Sequence, residues 1–151
     1  MKGERVREIV TRGGAETESF GRELANELAA GDVIYLTGDL GAGKTTLARG
    51  IAEGLGAAPR EVASPTFAIL HEYAAPGGAI VMRHLDLYRL ADRAGELEVL
   101  GLPDAATGAP IAVEWPGQAI RAILPPTVEI TIARGSGGVR RIEVCELPRA
   151  R

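Results

Sequence analysis

The sequence predicts a single α/β domain, a sandwich in which helices flank a mixed, mainly parallel central sheet. Three observations predict this class. The apolar run at 33–36 is typical of a strand buried on both faces. A glycine-rich loop and a helical segment follow that run, which gives the order strand, loop, helix. Two pairs of strand-like segments with glycine-rich turns indicate hairpins, and hairpins make the sheet mixed.

Length and composition are those of one globular domain. The chain is expected to form a single unit over residues 1–151, with a frayed tail at 148–151. Hydrophobic residues make up 46% and charged residues 25%, close to the average of soluble domains. No apolar run approaches the roughly 20 residues of a membrane span, and the N-terminus lacks a signal-peptide core. These features predict a cytoplasmic protein with no membrane partner.

Charge and cysteine usage exclude two further classes of function. The formal net charge of −3 provides no global basic field, so any contact with nucleic acid is expected to run through a partner protein. The single cysteine, Cys145, excludes an internal disulfide and a cysteine metal cluster. Its place in a strand pattern favours a small core residue over a nucleophile.

In the first third of the chain, hydrophobic spacing predicts two strands and two helices. The predicted elements are an edge strand at 6–10, a helix over 17–30, the buried strand at 33–36 and a helix over 44–55. Thr17 is the candidate N-cap of the first helix. Gly31 is expected to end that helix, and Gly56 to end the second.

The remainder of the chain predicts two hairpins and the elements between them. These are a loop at 59–65, a hairpin of 66–73 and 79–85, a helix over 91–100, a buried strand at 111–113, and a hairpin of 128–133 and 139–146. The turns of the two hairpins contain Pro76-Gly77-Gly78 and Gly135-Ser136-Gly137-Gly138.

The glycine-rich loop predicts a nucleoside triphosphate site of the P-loop type. Its residues are Gly38, Asp39, Leu40, Gly41, Ala42, Gly43, Lys44, Thr45 and Thr46. The glycines allow positive φ, so that successive N–H groups and the N-terminus of the next helix can surround phosphate oxygens. Lys44 is expected to reach the β and γ phosphates, and the Thr45 hydroxyl to bind Mg²⁺. The fold is therefore predicted to be like that of P-loop NTPases.

Two acidic residues are candidates to complete this site. A P-loop needs an acid at the end of a neighbouring strand to hold Mg²⁺ or its waters. Asp86 follows the apolar run at 80–85, and Glu114 follows the run at 111–113. Spacing leaves open which of them contacts the metal, because one could hold Mg²⁺ while the other orients the attacking water.

The segment around Thr66 and a missing motif give two further indications. Ser64-Pro65-Thr66 follows the predicted P-loop helix, where switch-type hydrolases place a threonine that senses the γ-phosphate. Guanine-specific hydrolases read the base with an Asn-Lys-x-Asp segment. The only asparagine, Asn26, lies in the first predicted helix, so ATP is the expected nucleotide.

Other chemically capable residues have a simpler interpretation. His71 and His84 lack partners at metal-ligand spacing and are expected to be packed or exposed. Trp115 could be a core residue or an aromatic wall beside the nucleotide, and composition favours the core. The pair Arg140-Arg141 is too short for a nucleic-acid patch and is expected to be solvated.

Four segments together resemble one family. They are the P-loop, Ser64-Pro65-Thr66-Phe67, His84-Leu85-Asp86-Leu87-Tyr88-Arg89-Leu90 and Val113-Glu114-Trp115-Pro116. Their order and sequence are similar to those of the TsaE (YjeE) family of small bacterial ATPases of threonylcarbamoyladenosine tRNA modification. The resemblance runs from about residue 17 to about residue 132. Leu85 occupies a position that is usually aromatic, which is a change of packing, and the chain after Gly135 matches weakly.

The resemblance implies an Mg²⁺-dependent ATPase that acts with the proteins TsaB and TsaD and contacts tRNA only through that complex. Turnover would be weak alone and would support the cycling of the complex. Lys44 would bind phosphate, Thr45 and Glu114 would hold Mg²⁺, and Asp86 would assist at the metal or the catalytic water. The resemblance also implies that Thr66 is the switch-like residue and that Trp115 lies near the active site or a partner surface.

Two other classes share the P-loop. A small kinase would need an arginine-bearing lid and an acceptor pocket, and the central arginines Arg83, Arg89 and Arg93 lie in a segment that is short for a lid. A non-hydrolysing adaptor would bind ATP and Mg²⁺ without turnover, even in the presence of TsaB and TsaD.

Overall fold

The computed structural model describes residues 5–39, 41–58, 70–88 and 106–148. Within these ranges the strands are β1 (Arg5–Thr11), β2 (Val33–Gly38), β3 (Leu70–Ala74), β4 (Ile80–Asp86), β5 (Ile111–Glu114), β6 (Val128–Arg134) and β7 (Arg140–Glu146). The α-helices are α1 (Gly14–Leu24), α2 (Lys44–Gly54) and α3 (Gln118–Ile123). Short 3₁₀ turns occupy Ala25–Glu27 and Ser136–Gly138.

The seven strands form one mixed sheet in the order β1-β7-β6-β2-β5-β4-β3. The four central strands, β6, β2, β5 and β4, run parallel. Antiparallel pairing extends the sheet on both sides. β3 pairs with β4 at one edge, and at the other β7 pairs with β6 and with the edge strand β1. The mixed α/β sheet predicted from the sequence is therefore confirmed, and both predicted hairpins and the edge strand are present.

Burial on both faces makes β2 the centre of the molecule. Ile34 and Leu36 belong to a core cluster that includes Leu47 and Ile51 of α2, whereas Tyr35 belongs to a second cluster on the opposite face. The second cluster includes Ile120 of α3. All six side chains are fully buried. Successive side chains of a strand point to opposite faces, so an apolar run places one layer of core on each side of the sheet.

Close packing of α1 on α2 depends on glycine. A Cβ on Gly21 of α1 would lie 2.7 Å from the carbonyl oxygen of Leu47. A Cβ on Gly50 of α2 would collide with the carbonyl oxygen of Glu18. The two helices therefore meet at backbone distance, and this contact presses the N-terminal half of α2 against the sheet.

Parallel strands bring their carboxyl ends to one edge of the sheet, and the site lies there. β2 ends at Gly38, β4 at Asp86 and β5 at Glu114. In the parallel registers Glu114 pairs with both Leu36 and Asp86. The fold therefore brings the start of the P-loop and both candidate acids to the same edge.

Three details of the sequence prediction are wrong. Gly13, and not Thr17, is the N-cap of α1, and Thr17 is a buried residue inside the helix. The Thr17 hydroxyl lies 2.7 Å from the Thr11 hydroxyl and donates to the carbonyl oxygen of Gly13, so it ties the helix to β1. The α-helix ends at Leu24, where a 3₁₀ turn takes over, and not at residue 30. The helix α3 has no counterpart in the prediction.

Several predicted segments lie outside the described residues. These are the loop at 59–65, the first four residues of the 66–73 strand, the helix over 91–100 and most of the tail at 148–151. Among the described helices, none has the length and apolar character to cross a membrane.

Candidate functional site

The P-loop leaves β2 at Gly38 and enters α2 at Lys44. Gly38, Gly41 and Gly43 have φ values of 147°, 78° and 114°, so all three adopt the positive φ that the motif predicts. The N-cap of α2 is Gly43, which has no side chain to accept from the first turn of the helix. The N–H groups of that turn are therefore available to an external anion, and the helix dipole favours negative charge there.

Lys44 is folded back over the loop. Its ammonium donates to the carbonyl oxygens of Gly38 at 2.6 Å and Asp39 at 2.8 Å. The side chain is buried, with 5% of the residue exposed. Burial lowers the pKa of Lys44, while the carboxylates of Glu114, Asp39 and Asp86 oppose that shift. The lysine is thus a cation held at the loop with three acids around it, and phosphate oxygens would add to its favourable interactions.

Glu114 and Thr45 meet across the gap between β5 and α2. The Thr45 hydroxyl lies 3.2 Å from Oε2 and 3.5 Å from Oε1 of Glu114 and donates to that carboxylate. Glu114 is buried, with 4% of the residue exposed. The two residues that the resemblance assigns to Mg²⁺ therefore lie together, and both line the same cavity.

Asp86 has a different setting at the same edge. It is the register neighbour of Glu114 and is exposed. Its Oδ1 accepts the backbone N–H of Tyr88 at 3.0 Å, which fixes the carboxylate at the turn after β4. Asp86 is therefore positioned at the mouth of the site, whereas Glu114 is positioned at its base.

A cavity of about 280 Å³ lies between these groups. Its lining consists of Gly41, Gly43, Lys44, Thr45, Thr46, Asp86, Tyr88, Glu114 and Trp115. The cavity therefore has a cation and helix N–H groups on one side and carboxylates on the other. Leu40 and Thr66, both predicted site residues, lie outside the described part of the chain.

Trp115 lines the cavity and is not a core residue, so the interpretation favoured by composition is wrong. Its φ of 58° is left-handed, which makes it the one non-glycine residue with positive φ in the described ranges. The ring centroid lies 4.4 Å from the Lys44 ammonium and 5.0 Å from the Tyr88 ring. A bulky residue in this conformation is strained, and such strain concentrates at functional sites. The turn after β5 thus directs the indole across the P-loop.

His84 is a site residue that sequence reasoning missed. It is buried in β4, and its Nε2 lies 2.6 Å from Oε2 of Glu114. Its Nδ1 lies 3.4 Å from the hydroxyl of Tyr73. A signal was available, because His84 precedes Asp86 by two residues and so shares its face of the strand. His84 is packed, which is one of the two alternatives expected for it, and its partner is the candidate metal ligand.

Arg140 also has a role that the sequence did not predict. It is half-buried, and its Nε donates to the carbonyl oxygen of Ala42 at 2.8 Å. This bond ties the β6–β7 hairpin to the P-loop, so the expectation that Arg140 is solvated is wrong. Arg141 is exposed beside Glu8, as expected. Cys145 is half-buried and lies in β7.

The oxygen donors at the cavity suit Mg²⁺. This ion binds hard oxygen ligands and usually keeps several waters and phosphate oxygens beside one or two protein groups. Across the described ranges, no group of three or more histidine, cysteine or acidic residues could hold a metal ion by itself. The Thr45 hydroxyl and the Glu114 carboxylate are the oxygen groups at this cavity that could hold such an ion.

Comparisons with known proteins identify the family. A family model described as Threonylcarbamoyl adenosine biosynthesis protein TsaE matches residues 11–142. The tRNA threonylcarbamoyladenosine biosynthesis protein TsaE of Streptomyces coelicolor is 40% identical over 118 residues, 78% of this chain and 79% of that protein. The protein of the same name in Bacillus subtilis is 40% identical over 128 residues, 84% of this chain and 77% of the relative.

The fold has a counterpart among solved structures. The crystal structure of Bacillus subtilis YdiB matches with a TM-score of 0.73 and 30% sequence identity. The match covers 98% of this chain and 90% of that one. Because the family model spans nearly the whole chain and the relatives match over most of it, the chain belongs to the TsaE family of threonylcarbamoyl adenosine biosynthesis proteins.

Proposed function

We propose that this protein is an Mg²⁺-dependent ATPase whose turnover supports threonylcarbamoyladenosine modification of tRNA. The observation that carries the proposal is the convergence of Lys44, Thr45 and Glu114 on one cavity at the N-terminus of α2. This arrangement supplies a phosphate-binding cation and two oxygen ligands for a divalent ion in one place. Family membership supports the biosynthetic role.

ATP is the proposed nucleotide because the guanine-reading segment is missing from the sequence. In this proposal the N–H groups at the start of α2 and the Lys44 ammonium bind the β and γ phosphates. Thr45 and Glu114 hold Mg²⁺, which would neutralise charge on the phosphate oxygens. Asp86, exposed at the mouth of the cavity, is placed to orient the attacking water.

Trp115 and Tyr88 have a shielding role in the proposal. Their rings contact each other and form an aromatic wall of the cavity. The Trp115 ring also lies over the Lys44 ammonium, which a cation–π contact stabilises. A wall of this kind excludes water from one side of the phosphates and strengthens the local electrostatic interactions.

TsaB and TsaD are the proposed partners, and contact with tRNA is proposed to be indirect. The formal net charge of −3 supports this arrangement, because the chain has no overall positive field that would hold a polyanion. We expect slow hydrolysis by the protein alone and faster hydrolysis in the presence of the two partner proteins.

Phosphate release with ATP and Mg²⁺, measured with and without TsaB and TsaD, tests the proposal. Lys44→Ala is expected to lower turnover by about 100-fold or more, since it removes a cation that contacts the transferred phosphate. Arg141→Ala is the matched control, because it removes an exposed cation far from the P-loop, and it should keep wild-type turnover. A phosphorylated acceptor in place of free phosphate would identify a kinase instead. Absence of turnover even with both partners would identify a non-hydrolysing adaptor.

A further inference from the structure

A line of buried polar groups runs from the cavity into the core. The Thr45 hydroxyl contacts Glu114, Oε2 of Glu114 lies 2.6 Å from Nε2 of His84, and Nδ1 of His84 lies 3.4 Å from the Tyr73 hydroxyl. His84 has 4% and Tyr73 has 2% of its surface exposed. The line therefore connects the proposed metal ligand to groups that the nucleotide cannot reach.

The strand pairing explains how these groups come together. His84 lies in β4 opposite Ala112 of β5, and Tyr73 lies in β3 opposite Met82 of β4. The two rings are stacked, with centroids 6.2 Å apart. His71 is the register partner of His84 and makes an edge contact with Tyr73, at 4.6 Å between ring centroids. These ring contacts restrict the Tyr73 ring, which in turn restricts the orientation of the imidazole.

A buried imidazole and a buried carboxylate are costly to desolvate unless each satisfies the other. An ionised carboxylate can only accept, so Nε2 of His84 carries the hydrogen that joins the two groups. Burial raises the pKa of Tyr73, so its hydroxyl keeps its proton and can donate to Nδ1. These roles are mutually consistent, and each donor faces an acceptor.

We propose that His84, held by Tyr73, is a positioning residue that orients the Glu114 carboxylate toward Thr45 and Mg²⁺. The Nε2–H group occupies Oε2, which is also the nearer oxygen to the Thr45 hydroxyl, and leaves Oε1 to face the ion. Partners that orient metal ligands in this way typically contribute about 10–100-fold to metal affinity or activity. The inference rests on the proposed Mg²⁺-dependent ATPase function, since it assigns the group that prepares the metal ligand.

The test uses the full chain and the fluorescence of Trp115, which is the only tryptophan and lines the cavity. ATP is titrated in the presence of EDTA, and Mg²⁺ is then titrated at saturating ATP. His84→Leu keeps the volume of the side chain but lacks a donor. It should raise the Mg²⁺ concentration at half-effect by about 10–100-fold. ATP affinity in EDTA should stay near its wild-type value, while the unfolding temperature should fall, because the buried Glu114 carboxylate loses its partner. A thermal melt therefore checks that the variant is folded at the temperature of the titration.

Two further variants separate positioning from packing. His84→Gln places an amide N–H near the position of Nε2 and should restore most of the Mg²⁺ response. Tyr73→Phe removes the hydroxyl that holds Nδ1 and should give a smaller shift in the same direction. Tyr35→Phe is the matched control, because it removes a buried tyrosine hydroxyl that bonds to Leu124 in the other core cluster, and its Mg²⁺ response should match the wild type.

The outcomes also distinguish this inference from the proposed function. A wild-type protein that binds ATP without any Mg²⁺ effect, or that does not bind ATP, would overturn the proposed function and this inference together. A wild-type Mg²⁺ response that His84→Leu retains would overturn only the role of His84. An equal loss of ATP affinity in EDTA and in Mg²⁺ would also overturn it, because it would show that His84 is a packing residue.

Discussion

Two buried carboxylates lie at opposite ends of the parallel strands, and their surroundings differ. Asp32 precedes β2 and is fully buried. Its Oδ1 accepts the Thr127 hydroxyl and its Oδ2 accepts the N–H of Ala29, both at 2.8 Å. The Thr127 hydroxyl also accepts the N–H of Val33 at 3.0 Å. These bonds connect the start of β2 to the start of β6, so the role of Asp32 is to stabilise the contact between these two strands.

Glu114 is equally buried, but its environment is open on one side. The Thr45 hydroxyl reaches it only at 3.2 and 3.5 Å, and the carboxylate lines a cavity of about 280 Å³. A carboxylate that is satisfied by short bonds from fixed groups contributes to stability. Glu114 has a short contact with His84 and a longer one with Thr45 at the cavity, and in the proposed function the remaining capacity of its carboxylate binds Mg²⁺. Burial alone does not separate the two roles, whereas the partners do.

The largest expected effect follows from Glu114→Gln. The variant keeps the size of the side chain but removes the negative charge proposed to hold Mg²⁺, so ATP turnover should fall by about 100–1000-fold. Unfolding temperature should change little, because the amide can still accept from Thr45 and His84. Phosphate release and a thermal melt measure the two properties. Glu143→Gln, an exposed carboxylate of β7, is the control and should retain both.

A smaller effect is expected for Asp32→Ala, which should lower the stability of the fold and leave turnover nearly unchanged. The change removes the charged acceptor of the Ala29 N–H and the Thr127 hydroxyl, and hydrogen bonds to charged groups contribute about 1.5–3 kcal/mol each. Urea unfolding should show a loss of about 2–4 kcal/mol in the free energy of unfolding. Turnover per folded molecule should stay within about twofold of the wild type, since the site lies at the other end of the strands. A large loss of turnover at unchanged stability would contradict the comparison.

The smallest effect is expected at Tyr35, which, like Asp32, contributes to the stability of the fold and does not line the cavity. Its hydroxyl donates to the carbonyl oxygen of Leu124 at 2.6 Å, and Tyr35→Phe should cost about 1 kcal/mol at pH 7. Burial raises the pKa of Tyr35 from 10 to about 12. The folded protein therefore keeps this proton longer than the unfolded chain does, and stability should fall as pH rises from about 10 to about 12. The same alkaline series on Tyr35→Phe should show a shallower fall, and an identical slope would be inconsistent with the assignment.

Much of the fold could be predicted because it follows from local patterns. A pattern of a few residues is enough to predict each of three features: the buried strand β2, the P-loop and the turns of the two hairpins. The start of α1 and the presence of α3 could not. Thr17 bonds to Thr11 of a neighbouring strand, and α3 is a short helix whose Ile120 packs against the second core face. Both depend on tertiary contacts that spacing along the chain does not encode.

The candidate site also contains residues that the sequence could predict and residues that it could not. Lys44, Thr45, Asp86 and Glu114 were predictable, because strand ends and a P-loop motif identify them in one dimension. The contacts of His84 and Arg140 were not, since their partners lie 30 and 98 residues away along the chain, and only the spacing of His84 from Asp86 indicates that His84 is near the site. For Trp115, composition favours the core over an aromatic wall beside the nucleotide. Its left-handed backbone conformation directs it to the cavity instead.

The pairing of Thr45 with Glu114 as a magnesium site can be tested by one titration. Trp115 fluorescence is followed as ATP is added to the wild type and to Glu114→Gln, each in excess Mg²⁺ and in EDTA. We predict that Mg²⁺ tightens ATP binding to the wild type by at least about tenfold, as expected when a metal bridges protein and phosphates. This gain should disappear in Glu114→Gln while its affinity in EDTA is retained. An Mg²⁺ effect of the same size in both proteins would contradict the assignment of Glu114 to the metal.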